Sequence, residues 1–169
     1  MIAEYDILLR LIKERRSVRR FKPTPVEKEK IDLLIEAARW APSAGNAQPW
    51  EFILIYNSDM RESLKTVMTG VMGNMKEGPV LICMCTNKTK KTVWSCLDMG
   101  CALENILLTA HSLGLGTCAI GGFEERFIAE LLDLPDHIEP CLFITVGYPE
   151  KKVPPPSRRT RNELIVKEV

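Results

Sequence analysis

Residues Trp94–Leu113 read WSCLDMGCALENILLTAHSL, and Gly114–Ile120 follow as GLGTCAI. The first stretch is the longest helical pattern in the chain. It is apolar nearly all round (Leu97, Met99, Ala102, Ile106, Leu107, Leu108), which predicts a helix buried on several sides. Gly114 is placed to stop it. Gly114-Leu115-Gly116-Thr117-Cys118-Ala119 also fits the pattern G-x-G-x-x-A of dinucleotide-binding turns. Those turns run from strand to helix, so that a helix N-terminus faces the pyrophosphate. Here a helix precedes and a strand, Leu115–Ile120, follows, so the glycines read as a helix stop.

Working outward gives alternating elements. Toward the N-terminus, Val80–Cys85 is an apolar strand, Gly70–Gly78 a flexible stretch, Asp59–Thr69 a short helix and Glu51–Tyr56 a strand. A helix carrying Ile31, Leu34, Ile35 and Ala38 precedes them. Thr24-Pro25-Val26-Glu27 supplies its start signal, with Thr24 as cap, Pro25 at the first position and Glu27 closing a capping box. It ends near Trp40-Ala41, because Pro42 disfavours helical geometry in the residue before it. Ser43–Pro49 is then a polar loop. Ala3–Lys13 forms a first helix with Tyr5, Leu8, Leu9 and Ile12 on one face. Toward the C-terminus, Glu124–Leu132 is a helix and Cys141–Gly147 the last strand. After the run Pro154-Pro155-Pro156, Leu164-Ile165-Val166 can add a strand to a neighbour. The alternation predicts an α/β fold of three layers around one central mixed sheet. The stranded apolar tail suggests exchange with a second subunit.

The chain has 169 residues, 46% of them hydrophobic and 27% charged, which suits a single domain over residues 1–169 rather than a disordered chain. No apolar run approaches the roughly 20 residues of a membrane span. Glu4 and Asp6 stand where an export signal is basic, so a cytoplasmic location without membrane contact is expected. Six cysteines are then expected to be reduced. Cys83-x-Cys85 and Cys96-x4-Cys101 contain no C-x2-C pair, which argues against zinc or an iron–sulfur cluster and for small core fillers. His111 and His137 are far apart, and no nucleophile elbow or Walker motif exists.

The net charge is only +1, yet ten of the 23 cations fall in 17 positions at the two ends of the chain. Arg10, Lys13, Arg15, Arg16, Arg19, Arg20 and Lys22 form one cluster, and Arg158, Arg159 and Arg161 the other. Such clusters suggest a discrete anion site assembled from both ends. Arg15-Arg16-Ser17-Val18-Arg19-Arg20-Phe21 offers four guanidinium groups and a hydroxyl. Charge-assisted bonds of roughly 1.5–3 kcal/mol each would let two or three of them hold a phosphate monoester. A solvated basic loop is the alternative. Nucleic acid is a poor fit, since Phe21 is the only aromatic beside the cluster. In Ala41–Trp50, small residues let backbone approach a flat ligand, and Asn46 and Gln48 can donate and accept. Alone, that stretch reads better as a helix-to-strand turn.

Together, R-R-S-V-R-x-F, a helix, and A-P-S-A-x-N-x-Q-P-W resemble the FMN-dependent nitroreductase family. Asp98–Asn105 looks like that family's central helix, and Leu113–Phe123 like its L-G-L-G-x-x-x-I-x-G-F stretch. Val146-Gly147-Tyr148-Pro149 followed by Pro156-Ser157-Arg158-Arg159 looks like its C-terminal phosphate segment. The resemblance implies an intertwined homodimer with FMN at the interface and exchange of the C-terminal strand. It implies that Arg15, Arg16 and Ser17 hold the phosphate and ribityl end, and that Arg158 and Arg159 close on the phosphate. Arg19 would lie near N1 and O2 of the ring, where a cation stabilises the reduced flavin. Pro42, Ser43, Ala44, Asn46 and Gln48 would contact the ring from the partner chain. Gly121 and Gly122 would offer backbone N–H groups near N5, and Asn74 would reach the ring.

The implied reaction is a ping-pong transfer of hydride from NAD(P)H through N5 to a nitroaromatic, quinone or related small-molecule acceptor, with no catalytic side chain required. Larger relatives carry an acidic residue where Gly121 sits and a helical excursion over the substrate face. In this shorter chain that face is expected to be open, or lined by Met68–Met75 and Lys88–Thr92. A flavin-dependent dehalogenase, a flavin-fragmenting enzyme, an FMN-binding redox sensor without turnover and an RNA-binding basic module are the competing readings.

Overall fold

The computed structural model describes residues 2–67 and 80–169. Four strands, β1 (Trp50–Ile55), β2 (Val80–Asn87), β3 (Gly116–Ile120) and β4 (Ile138–Gly147), form a sheet in the order β1-β2-β4-β3. All three strand pairs are antiparallel. The parallel element of the expected mixed sheet is reduced to a single bridge, Ser17 with Thr117, at the β3 edge. Helices α1 (Ile2–Glu14), α2 (Lys28–Arg39), α3 (Ser58–Val67), α4 (Ser95–Ser112) and α5 (Glu125–Leu131) surround it, and α6 (Arg161–Leu164) is one turn near the C-terminus.

β2 explains the layering. All eight of its residues are buried, as expected of a strand covered on both faces. Val80, Ile82 and Met84 pack with Ile144 and Val146 against Ile31, Leu34 and Ala38 of α2 and Ala102 and Ile106 of α4. The alternate residues, Leu81, Cys83 and Cys85, pack with Phe143 against Leu64 of α3 and Ile128 of α5. Helices thus lie on both faces, giving the three expected layers. Cys83 and Cys85 are core fillers, their Sγ atoms 3.6 Å apart, and their mutual hydrogen bond and burial raise the Cys83 pKa.

β4 begins three residues earlier than Cys141. It runs through Pro140, where its register against β2 slips between Met84 and Cys85. An irregularity of this kind is where a strand tolerates a residue without an N–H.

Other expectations need correction. The helix at Thr24–Glu27 starts only at Lys28 and has no side-chain cap. The Glu27 carboxylate instead accepts the Tyr148 hydroxyl at 2.7 and 3.0 Å. α4 is buried on one face, through Ser95, Asp98, Met99, Ala102, Ile106 and Ala110, while Leu97 is 64% exposed and Trp94 56%. Within the single chain Leu164-Ile165-Val166 is not a strand, which leaves the expected pairing with a neighbour untouched. Thr160 and Glu163 make a capping box that turns Arg161–Leu164 into helix. Gly70–Gly78, the end of the expected Asp59–Thr69 helix, Met68–Met75 and Asn74 lie outside the described residues.

Candidate functional site

After α1 the chain crosses the β3 edge as an extended strap. The Val18 N–H donates to the Thr117 carbonyl at 2.8 Å, and Lys22 N–H to the Tyr148 carbonyl at 2.8 Å. Phe21 bridges Pro149, and the Glu150 N–H donates to the Arg20 carbonyl at 3.0 Å. Val18 and Phe21 are buried, whereas Ser17, Arg19 and Arg20 are exposed. From Ser17 to Arg19 exposure alternates as in an extended chain with one face on a core, and exposed Arg20 breaks the alternation before Phe21 is buried again. The strap lies so close to β3 that a Cβ on Gly116 would come within 2.7–2.9 Å of three Val18 side-chain atoms. Gly116 therefore permits the strap's approach, and Gly114, at φ +74°, is the helix stop.

The strap brings its arginines to the C-terminal segment. Arg15, Arg16, Ser17, Arg19 and Arg158 line one cavity of about 260 Å3, walled by Val153, Pro154 and Pro156. No carboxylate lines it. The two basic ends of a nearly neutral chain thus meet at one place. The Arg15 Nε lies 3.5 Å from Glu104 Oε1 on α4, an ion pair that orients the guanidinium without hydrogen-bond geometry. Arg16 Nη1 donates to the Lys13 and Arg15 carbonyls, while its Nε is buried without a partner. Arg159 is not among the lining residues. Neither is any residue of the Ala41–Pro49 loop or of Gly121–Gly122.

The loop is a second cluster. Ala44–Asn46 makes one 3-10 turn, and Gly45, Asn46 and Gln48 take φ values of +58°, +55° and +46°. Non-glycine residues in that region cost about 1–3 kcal/mol each and persist only when their surroundings fix them. Two contacts do so. The Ala44 N–H donates to Oδ1 of buried Asp98 at 3.0 Å, and the Gln48 N–H donates to Ser43 Oγ at 3.1 Å. Pro42, Asn46 and Gln48 stay exposed. Asp98 as the anchor of this loop was not legible beforehand. Its one signal was a carboxylate on the apolar face of the longest helix.

Gly121 and Gly122 follow β3 and are exposed. A Cβ on Gly121 would meet nothing within 4 Å, so the chain's own packing does not require glycine there. Val153, Pro154 and Pro156 were also missed as cavity walls, because a proline run reads as a spacer. Among the described residues no group of His, Cys, Asp and Glu could hold a metal ion, and no helix is long and apolar enough to cross a membrane.

Comparison with known proteins agrees with this arrangement. A Methanothermobacter thermautotrophicus protein provisionally named NADH dehydrogenase/NAD(P)H nitroreductase is 37% identical over 156 residues, spanning 88% of this chain and 80% of the relative. The fold overlays that of a Parabacteroides distasonis protein with the same provisional name at a TM-score of 0.87 and 33% identity, covering 96% of this chain and 99% of the other. It overlays a provisionally assigned Desulfovibrio desulfuricans nitroreductase, solved in complex with FMN, at a TM-score of 0.86 and 30% identity, with 96% of each chain covered. The family model described as "Nitroreductase family" matches residues 12–72 and 68–148, so that the strap, the loop, the central helix and the glycine pair all fall within a match that makes this chain a member of the nitroreductase family.

Proposed function

We propose that this chain is the subunit of an FMN-dependent NAD(P)H oxidoreductase acting on nitroaromatics, quinones or related small acceptors. The observation that carries the reading is the cavity where Arg15, Arg16, Ser17, Arg19 and Arg158 converge with no carboxylate among its walls. That donor set fits a phosphate monoester: guanidinium groups bind phosphate bidentately, and the buried, unpartnered Arg16 Nε is a donor awaiting an acceptor. FMN, when bound, supplies the redox chemistry, receiving hydride from NAD(P)H at N5 and passing electrons on in a ping-pong cycle. The protein's part is to hold and tune. Arg15, Arg16, Ser17 and Arg158 bind the phosphate end, and Arg159 supports them from the same segment. Arg19 sets the charge at the N1 and O2 side of the ring. Pro42, Ser43, Ala44, Asn46 and Gln48 contact the ring from a partner chain, in a loop whose backbone is already committed by Asp98. Gly121 and Gly122 present backbone N–H groups to N5, a role consistent with a glycine at 121, where the chain's own packing does not demand one.

The active species is a homodimer. Support comes from apolar side chains left uncovered on α1, on α4 and just before α4, where Tyr5, Leu8, Val93, Trp94 and Leu97 are all more than half exposed. Among the described residues β1 is also an edge strand with one side unpaired, a feature that proteins normally cover. The exposed tail beyond Leu164 is suited to pair with that edge in the partner.

The test is an anaerobic titration of the purified, flavin-loaded protein with NADH and with NADPH, followed by flavin absorbance. Bleaching, and recovery on adding a nitroaromatic or quinone, is the expected result. A protein that stays colourless after incubation with FMN would refute the site. A yellow protein that neither nucleotide bleaches would refute the activity and leave a flavin-binding sensor.

A further inference from the structure

A second cavity adjoins the first. It measures about 520 Å3, within the size range of small-molecule sites. Arg15, Arg16, Val153 and Pro154 line both cavities, so the two abut across one wall. The strap's alternation divides the rest: Ser17 and Arg19 line the smaller cavity and Val18 the larger. None of the residues assigned to the flavin ring lines the larger one, and of those assigned to its phosphate end only Arg15 and Arg16, the shared wall, do.

Its chemistry is that of an anionic ligand with an apolar body. Arg15, Arg16, Lys151 and Lys152 set four cations against one carboxylate, Glu14. Lys151 and Lys152 are exposed and enter no ion pair among the described residues. Val18, Leu115 and Pro149, with Val153, Pro154 and Pro155, make the walls apolar, and Thr117 lies among them. His111 closes one side. Burial is the main cause that lowers its pKa, opposed by Glu14 and aided by Arg16 and Arg15, which favours the neutral imidazole, able both to donate and to accept.

The geometry points to a binding site for the adenosine-phosphate portion of a nucleotide, with phosphate at Lys151, Lys152 and the shared arginine wall, and base and ribose against Val18, Leu115 and the prolines. Two sources carry that portion: a free adenine nucleotide binding beside FMN, or the AMP half of FAD, whose flavin phosphate would occupy the smaller cavity. Only the second source rests on the flavin reading above.

Calorimetric titration of ADP into the FMN-loaded protein, and of FAD and FMN into the apoprotein, separates them. ADP binding to the FMN-loaded protein, weakened about tenfold or more by Lys151→Ala/Lys152→Ala with FMN affinity unchanged, supports the site and assigns it to a free nucleotide. FAD binding the apoprotein about tenfold or more tighter than FMN, with that excess removed by the same double variant, supports it and assigns it to the dinucleotide. The inference is overturned if ADP at about 1 mM shows no binding and FAD is no tighter than FMN. It is equally overturned if the affinity that reveals the site, ADP for the FMN-loaded protein or the excess of FAD over FMN, is indifferent to loss of both lysines. Failure of FMN itself to bind would refute the flavin reading but leaves ADP binding to the apoprotein, and its dependence on the lysines, as the deciding measurement here.

Discussion

Replacing Gly116 by alanine tests the packing that forms the arginine cavity. A Cβ there would stand 2.7, 2.8 and 2.9 Å from Val18 Cγ2, Cβ and Cγ1. Carbon atoms pack at about 3.5–4.0 Å, so the shortfall is nearly 1 Å on three atoms at once. A rotamer change does not relieve it, because Val18 Cβ moves only with the backbone. Val18 is 6% exposed, and its N–H is bound to the Thr117 carbonyl at 2.8 Å. The strap must therefore lift from β3. Overpacking of this kind costs about 1–3 kcal/mol, and weakening the Val18 hydrogen bond adds about 0.5–1.5 kcal/mol. The entropy that alanine removes from the unfolded chain offsets about 0.4–1 kcal/mol. The expected net loss is about 1–3 kcal/mol in urea denaturation. Because Arg16, Ser17 and Arg19 ride on the strap, FMN affinity should fall at least about tenfold, the equivalent of about 1.4 kcal/mol. Fluorescence titration of the apoprotein at fixed ionic strength measures it. Adding Val18→Gly removes all three clashing atoms, so the double variant should bind FMN more tightly than Gly116→Ala alone despite its smaller core. Wild-type FMN affinity in Gly116→Ala would refute the idea that strap-to-β3 contact sets the cavity.

Arg16→Ala and Arg158→Ala should each weaken FMN binding about 10- to 100-fold, the loss of one charge-assisted contact, with little change in urea midpoint; wild-type dissociation constants in both would remove them from the phosphate. Leu97→Asp places a charge on the uncovered face of α4, and light scattering should report a monomer that retains its helical circular dichroism. A dimer of undiminished stability would show that this face is not the interface. Hydrogen bonds from Arg39 and then from the Trp40 indole lower the Glu36 pKa to about 2. Since the folded value lies below the unfolded one, this contact is complete above about pH 4.5 and is lost as pH falls toward 2. The Trp40 indole N–H resonance should hold steady from pH 7 to about 4 and move only below that, and a midpoint near 4.5 would contradict the assigned contact.

What the sequence disclosed, and what it hid, divides by the distance over which each signal acts. The layered fold was readable from β2 and α4 because their apolar runs are properties of adjacent residues. The convergence of Arg15–Arg19 with Arg158 was readable as two clusters of cations at the ends of a nearly neutral chain, and from the family resemblance. Which residues wall the cavity was hidden, since Val153 and Pro154 act there by position and not by type. The all-round apolarity of α4 was misassigned to burial within the chain. A face meant for another subunit carries the same residues as a face meant for the core, and single-chain patterning cannot separate the two. Gly116 was attributed to the helix stop because Gly114, two residues away, suffices for that stop. Its own reason is Val18, nearly a hundred residues distant.

The start signals make the same point under controlled conditions, because one motif occurs twice. Thr24-x-x-Glu27 and Thr160-x-x-Glu163 both offer a hydroxyl and a carboxylate at capping-box spacing. At Thr160 the box forms: Glu163 Oε2 accepts the Thr160 N–H at 2.6 Å and its hydroxyl at 2.8 Å, and those bonds lower the Glu163 pKa. At Thr24 it does not. The Glu27 carboxylate is engaged by the Tyr148 hydroxyl and lies 3.3 Å from Lys30 Nζ, and the Tyr148 bond is the foremost cause of its lowered pKa. A carboxylate turned toward Tyr148 is not available to its own helix start, so α2 begins at Lys28, one residue past Glu27. The competing partner comes from the segment just after β4, the same segment whose Pro149 bridges the strap at Phe21. Local capping therefore fails where tertiary structure needs the carboxylate to fasten α2 to the end of β4, beside the strap that carries the arginines. It succeeds in the exposed tail, where nothing else competes for it.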